Sequence, residues 1–272
     1  MQEIDLLIEA RWIIPIEPGG VTLDHHALAI NAGRIVGLAP VELAKTQFLP
    51  RRKLTLPSHV LLPGLINLHT HAALALLRGY ADDIAFPDWL NQRIRPAVTR
   101  LLSPAFVRDG TLLACAEMLR GGITCFNDMY FYPGQAAEAA LRLGMRATLG
   151  ILVMESPSSY AADADDYLSK GLAARDAVLD QPLISFCMAP HAPRTVSDKS
   201  FERIATLAAQ LDLPIHIHLH ETVDETAASI QQHGVRPLER LRRLGLLGPS
   251  MIAVDAVHLE TSEIALLAEQ CC

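Results

Sequence analysis

From about residue 61 onward the chain repeats one unit, a short and almost wholly apolar run followed by a longer helical stretch. The apolar runs lie at 61–68, 122–127, 147–153, 183–189, 213–219 and 251–257. The helical stretches lie at 105–120, 134–144, 164–179, 199–211 and 223–244, and a last one begins near 261. Strands that are apolar on both sides need cover on both sides. Strands that alternate with helices pair in parallel through right-handed crossovers. The expected fold class is α/β. An open doubly wound sheet and a closed (β/α)8 barrel both satisfy the pattern. A closed barrel needs eight units, and six are found here. Measured against a closed barrel, about two units are absent.

Residues 1–60 follow another rhythm. Leu6-Leu7-Ile8, Trp12 to Ile16 and Leu28-Ala29-Ile30 are β-type runs, and Gly19-Gly20 and Asn31-Ala32-Gly33-Arg34 mark turns. The expected organisation is a small β domain over 1–60 and an α/β domain over 61–272. Of the 272 residues half are hydrophobic and 19% charged, with a net charge of −7. That balance suits a globular enzyme and argues against a nucleic-acid partner. No run approaches the ~18 apolar residues of a membrane span, and the acidic start Met1 to Asp5 is unlike a signal peptide. The five cysteines are odd in number and lack zinc-finger spacing. A reducing, cytoplasmic setting is expected, with Cys271-Cys272 read as a frayed end rather than as ligands.

Polar residues gather just after the strand ends: Asn67, His69, Asp128, His191, His218, Glu221 and Asp255. Both α/β architectures place their sites there. His69-Thr70-His71 closes the first apolar run, and residues two apart on a strand share a face. Ile215 to Thr222 carries His216, His218 and His220 on one face by the same rule, and spacing alone does not choose among them. Glu221 falls on the other face unless the strand turns there. Three imidazoles and one open position suit Zn²⁺, which lowers the pKa of a bound water toward ~7. A nearby carboxylic acid can then move protons to a leaving group.

Six ordered stretches give the chain a family likeness: PGLINLHTH, LLRGYADD followed by Trp89-Leu90, GGITCFNDMYF, PHAPRTVSD, IHIHLHET and RLGLLGPSMIAV. With these it resembles the amidohydrolase superfamily, in particular the 5′-methylthioadenosine/S-adenosylhomocysteine deaminase group and its chlorotriazine-hydrolase relatives. The resemblance implies an incomplete TIM-type barrel of about six βα units with part of a β-sandwich before it. It implies His69, His71 and His218 as metal ligands, His218 being the histidine of a His-x-x-Glu pattern. Glu221 would shuttle protons, His191 would contact the substrate base and Trp89 would wall the pocket. One divalent metal is implied, zinc first and iron as the alternative. The small-molecule substrate would be an adenine-type nucleoside, which loses ammonia, and the full-length form would be a homodimer. Deamination or dechlorination of an s-triazine, or deamination of guanine, is the rival within that class.

The resemblance also marks three departures. It implies a histidine on the sixth strand where this chain has Asp255, an aspartate at the end of an eighth strand, and a ribose-binding glutamate where this chain has Val98. Asp255 is nonetheless a catalytic candidate beside Glu221, because an ionised Asp255 can accept a hydrogen bond from the attacking water, although it cannot donate one. An unfinished barrel would also expose parallel edges and apolar interior. The expectation is therefore a truncated piece with weak or absent activity. The rival from another class is a non-catalytic remnant that keeps the fold.

Overall fold

The chain divides into two compact units, Met1–Gly64 and the residues from Leu65 onward. The computed structural model describes residues 1–270, so Cys271 and Cys272 lie outside the described residues. The first unit is a four-stranded sheet formed by β1 (Gln2–Ile13), β2 (Leu23–Asn31), β3 (Arg34–Pro40) and, after the short helix α1 (Val41–Gln47), β4 (Phe48–Leu61). Its order is β3-β2-β1-β4. The β2–β3 turn places Ala32 and Gly33 at positive φ, the backbone that tight hairpins require. The Ala32 N–H donates to Asp5 Oδ2 at 2.7 Å, which ties the turn to β1.

β4 is longer than the sequence pattern suggests. Pro50 and Pro57 interrupt its apolar alternation, and proline is tolerated because β4 lies at the edge of the sheet. The expected strand at 61–68 is accordingly corrected. Leu61 closes β4 of the first unit, and the first strand of the second unit, β5, runs Leu65–Thr70. Pro63, which has no N–H to give a ladder, separates them.

The second unit follows β5 with a 3₁₀ turn at Ala72–Leu77, then α2 (Phe86–Asp88), a π-type turn at Trp89–Ile94, α3 (Arg95–Leu101) and α4 (Pro104–Arg120). The alternation then continues with β6 (Ile123–Asp128), α5 (Pro133–Arg142), β7 (Arg146–Val153), α6 (Ala164–Asp176), β8 (Ile184–Pro190) and α7 (Asp198–Leu211). It ends with β9 (Ile215–Leu219), α8 (Val223–His233), α9 (Pro237–Arg243), β10 (Met251–Asp255) and α10 (Thr261–Glu269). The six strands are parallel and lie in the sequential order β10-β9-β8-β7-β6-β5. This is an incomplete TIM-type barrel sheet.

Local chemistry sets the helix starts. Ser103, Asp163, Ser197 and Thr222 each accept a backbone N–H from the first turn of α4, α6, α7 and α8. The single helix expected at 223–244 is two, because Gly234 at φ 72° ends α8 and Pro237 starts α9. Between strands and helices lies a continuous apolar core that includes Phe126, Leu149, Ile151, Met188, Phe201 and Ile217, all buried. The polar residues His69, Asp128, His191 and His218 gather at or just past the ends of β5, β6, β8 and β9. Among the described residues no helix is long and apolar enough to cross a membrane.

Candidate metal and substrate site

His69, His71 and His218 bring one ring nitrogen each within 4.8 Å of one another at the ends of β5 and β9. The other nitrogen of each ring is engaged. His71 Nδ1–H donates to the Met129 carbonyl at 2.7 Å, and His218 Nδ1–H donates to the His191 carbonyl at 2.8 Å. His69 Nδ1 meets His216 Nε2 at 3.0 Å. All three rings therefore point Nε2 inward, as metal-binding histidines do when a partner fixes the far nitrogen.

The donor set fits a metal ion. Nitrogens at two corners of a tetrahedron with ~2.0–2.1 Å metal bonds stand ~3.3–3.4 Å apart. His69 Nε2 and His218 Nε2 are 3.3 Å apart. Burial is the largest cause holding His69 far below the usual imidazole range, at about 3, and the neighbouring His71, His218 and His216 add to it. Burial and His218 hold His71 at about 4. His216 is held at about 3 by burial, then by His218 and His71. Neutral rings are the form that binds a cation.

Asp128, at the end of β6, braces the first ligand strand. It is buried and accepts from Thr70 Oγ1 at 2.9 Å and from the Ala72 N–H at 2.7 Å, the residues on either side of His71. Burial pushes its carboxyl up to about 6 against those two bonds. The sequence showed Asp128 only as a polar residue after a strand. Its clasp on the His71 turn depends on pairing between β5 and β6, which spacing does not reveal.

The ligand cluster opens into a cavity of about 810 Å³. His71, His191, His218 and Glu221 line its polar end, and Trp89, Val98 and Phe131 are among its apolar lining. Trp89 stacks on Phe86 with ring centroids 6.1 Å apart, so the π-type turn presents an aromatic wall. His191 lies with its ring centroid 5.1 Å from that of His218, and its Nδ1 is 3.2 Å from Thr195 Oγ1. Burial keeps its imidazole neutral far into the acid range, with His218 and His71 contributing.

The turn that Glu221 required is present. His220, one residue past β9, adopts φ 54°, and Glu221 reaches the cavity beside His218. The Glu221 N–H donates to Glu225 Oε2 at 2.9 Å, which ties it to the first turn of α8. The three histidines of the segment do not stay together. His216 and His218 both touch His69, whereas His220 is buried against Thr226, the Leu238 N–H and Glu263. Asp255 ends β10 at φ 68° and is exposed. It stands outside the three-histidine cluster and outside the cavity lining. Partial burial nonetheless raises its carboxyl pKa, and His218 acts against that rise.

The chain matches the amidohydrolase family over residues 60–272. It is 46% identical over 263 residues to a protein of Saccharophagus degradans named 5-methylthioadenosine/S-adenosylhomocysteine deaminase, covering 97% of this chain and 59% of that one. A protein of the same name from Teredinibacter turnerae is 42% identical, covering 97% and 60%. Among solved structures, an adenosine deaminase from Xanthomonas campestris with bound zinc superposes with a TM-score of 0.97 at 46% identity, covering 99% of this chain and 62% of that one. An atrazine chlorohydrolase from Arthrobacter aurescens complexed with zinc shares the fold, with a TM-score of 0.84 at 22% identity, covering 97% and 64%. The chain thus spans less than two thirds of the length of these relatives.

Proposed function

The chain belongs to the amidohydrolase family, and from that premise we propose that it carries the site of a metal-dependent deaminase acting on an adenine-type nucleoside. Methylthioadenosine and S-adenosylhomocysteine are the substrates that the names of its relatives suggest. The observation that carries this reading is the convergence of His69, His71 and His218 with every far nitrogen engaged. When bound there, a divalent metal, zinc by the chemistry of the donor set, supplies an activated water at neutral pH.

The chain's own residues do the rest. Glu221, which lines the cavity with His218, would take a proton from the attacking water and pass it to a ring nitrogen, and then move the second water-derived proton to the departing ammonia. His191 faces the base from the end of β8, and its neutral ring offers a hydrogen bond without a competing charge. Trp89 and Phe86 close the apolar side and restrict bulk water.

Val98 favours a second reading. It lines the cavity where a nucleoside deaminase of this resemblance would place a ribose-binding glutamate. An apolar wall there suits a ring without a sugar, such as guanine or an s-triazine. The test is ammonia or chloride release by the zinc-loaded chain, measured on methylthioadenosine, S-adenosylhomocysteine, adenosine, guanine and a chlorotriazine, with Asp255→His alongside. Zinc-dependent ammonia release from the nucleosides supports the first reading, and turnover of guanine or the triazine alone replaces it with the second. Stoichiometric zinc with no turnover by either protein would show a remnant that binds metal without chemistry.

A further inference from the structure

His216 is buried, and its Nδ1 has no hydrogen-bond partner. Its other nitrogen, Nε2, faces His69 Nδ1 at 3.0 Å. Two facing ring nitrogens share one proton, so only one of them is the donor. The choice propagates. His218 Nδ1–H is committed to the His191 carbonyl, which leaves His218 Nε2 with a lone pair only, 3.3 Å from His69 Nε2.

Two arrangements of neutral rings satisfy this geometry. In the first, His216 Nε2–H donates to His69 Nδ1, and His69 Nε2–H donates to His218 Nε2. Every N–H then has an acceptor, and the unpartnered His216 Nδ1 is a bare lone pair. In the second, His69 Nδ1–H donates to His216 Nε2, and His69 Nε2 is free to bind a cation. His216 must then carry its proton on Nδ1, where no acceptor lies. A buried N–H without an acceptor is costly, so the first arrangement is preferred without metal and the second is needed with it.

We infer that His69 and His216 form a paired tautomer switch, in which His216 accepts from His69 only when a metal claims His69 Nε2. The inference rests on the three-histidine metal reading above. The balance is closed within the pair. The shared proton passes from His216 Nε2 to His69 Nδ1, the proton on His69 Nε2 leaves, and one proton arrives on His216 Nδ1. The pair releases no net proton on loading. Spacing alone left His216 undistinguished from His218 and His220, and could not show which nitrogen it spends on which neighbour.

The experiment is nitrogen-15 NMR of histidine tautomers in the wild-type chain before and after zinc, together with zinc affinity by chelator competition. Before zinc, both His69 and His216 are expected as Nε2–H forms, and after zinc both as Nδ1–H forms. His216→Phe, which leaves the His69 Nδ1–H without an acceptor, is expected to weaken zinc by ~10–100-fold. His216→Gln, whose side-chain carbonyl accepts without a tautomer change, is expected to bind zinc at least as well as wild type. His69 already in the Nδ1–H form before zinc, or His216→Phe binding zinc as tightly as wild type, overturns the switch and leaves the metal reading standing. A wild-type chain that takes no zinc overturns both.

Discussion

His71 donates from Nδ1 to the carbonyl oxygen of Met129 across 2.7 Å, and that bond decides which nitrogen remains for a ligand. A carbonyl can only accept, so the proton sits on Nδ1 and the lone pair on Nε2. His218 is fixed in the same way by the His191 carbonyl at 2.8 Å. His71→Ala and His218→Ala are each expected to weaken zinc by more than the ~100-fold typical of a supporting partner. His233→Ala, on the last turn of α8, is expected to leave it unchanged. Chelator competition on the three purified variants reads this directly.

Glu221 reaches the cavity through the left-handed residue His220 and is held by Glu225. Glu221→Gln keeps the size and the backbone bond and removes the transferable proton. Under the proposed reading it should retain stoichiometric zinc and lose ~10²–10⁴ of the deamination rate. Metal content and ammonia release measured on one preparation separate this outcome from loss of the site.

Gly110 on α4 lies against the turn that follows His71. A Cβ at this position would stand 2.8 Å from Ala73 Cα, and the Ala73 carbonyl is nearer still. Gly110→Ala should therefore destabilise the chain by ~1–3 kcal/mol, the usual cost of forcing extra volume into a packed interior. Urea unfolding measures it. A helix former that stabilised the chain here would show that the turn yields freely.

Arg240 on α9 is buried and spans the loop after His191. It donates to the Pro193 and Val196 carbonyls and pairs with Asp198. Arg240→Leu leaves two carbonyls without their donor, and the expected cost is ~2–5 kcal/mol. The wall that carries His191 should loosen with it, seen as faster hydrogen exchange over 191–198 than over β7.

Acid should destabilise the metal-free chain earlier than its carboxylates alone would predict. His69, His71 and His216 have folded-state values of about 3, 4 and 3, well below the ordinary imidazole value. The stability they contribute is present above ~6.5 and is lost as pH falls, because the unfolded chain takes up protons that the folded rings refuse. Each ring contributes a slope of up to ~1.4 kcal/mol per pH unit. Asp128 acts in the opposite sense. Its value of about 6 means that the stability it contributes is present below ~3.9 and is lost as pH rises through 6. The expected urea midpoint is steady above pH 7 and falls between 6.5 and 4.5. A flat midpoint down to pH 5 would show that the folded rings protonate freely.

The sequence by itself determined the βα alternation, because apolar runs covered on both faces have few other ways to fold. It also determined the chemical character of the strand ends, because His69, His71, His218 and Glu221 sit at or just past the ends of β5 and β9. It misplaced the start of the first barrel strand, since a run at residues 60–62 looks the same whichever sheet receives it. Proline inside β4 was legible only once its edge position was known. Tertiary structure alone decided the rest. Which nitrogen of His71 faces inward depends on the Met129 carbonyl, 58 residues away in sequence. That His216 serves His69 while His220 turns toward Thr226 and Glu263 depends on one left-handed residue at the end of β9. Periodicity says which face a side chain leaves from. The partner it meets there is fixed by strand pairing and turn geometry, which act between distant parts of the chain.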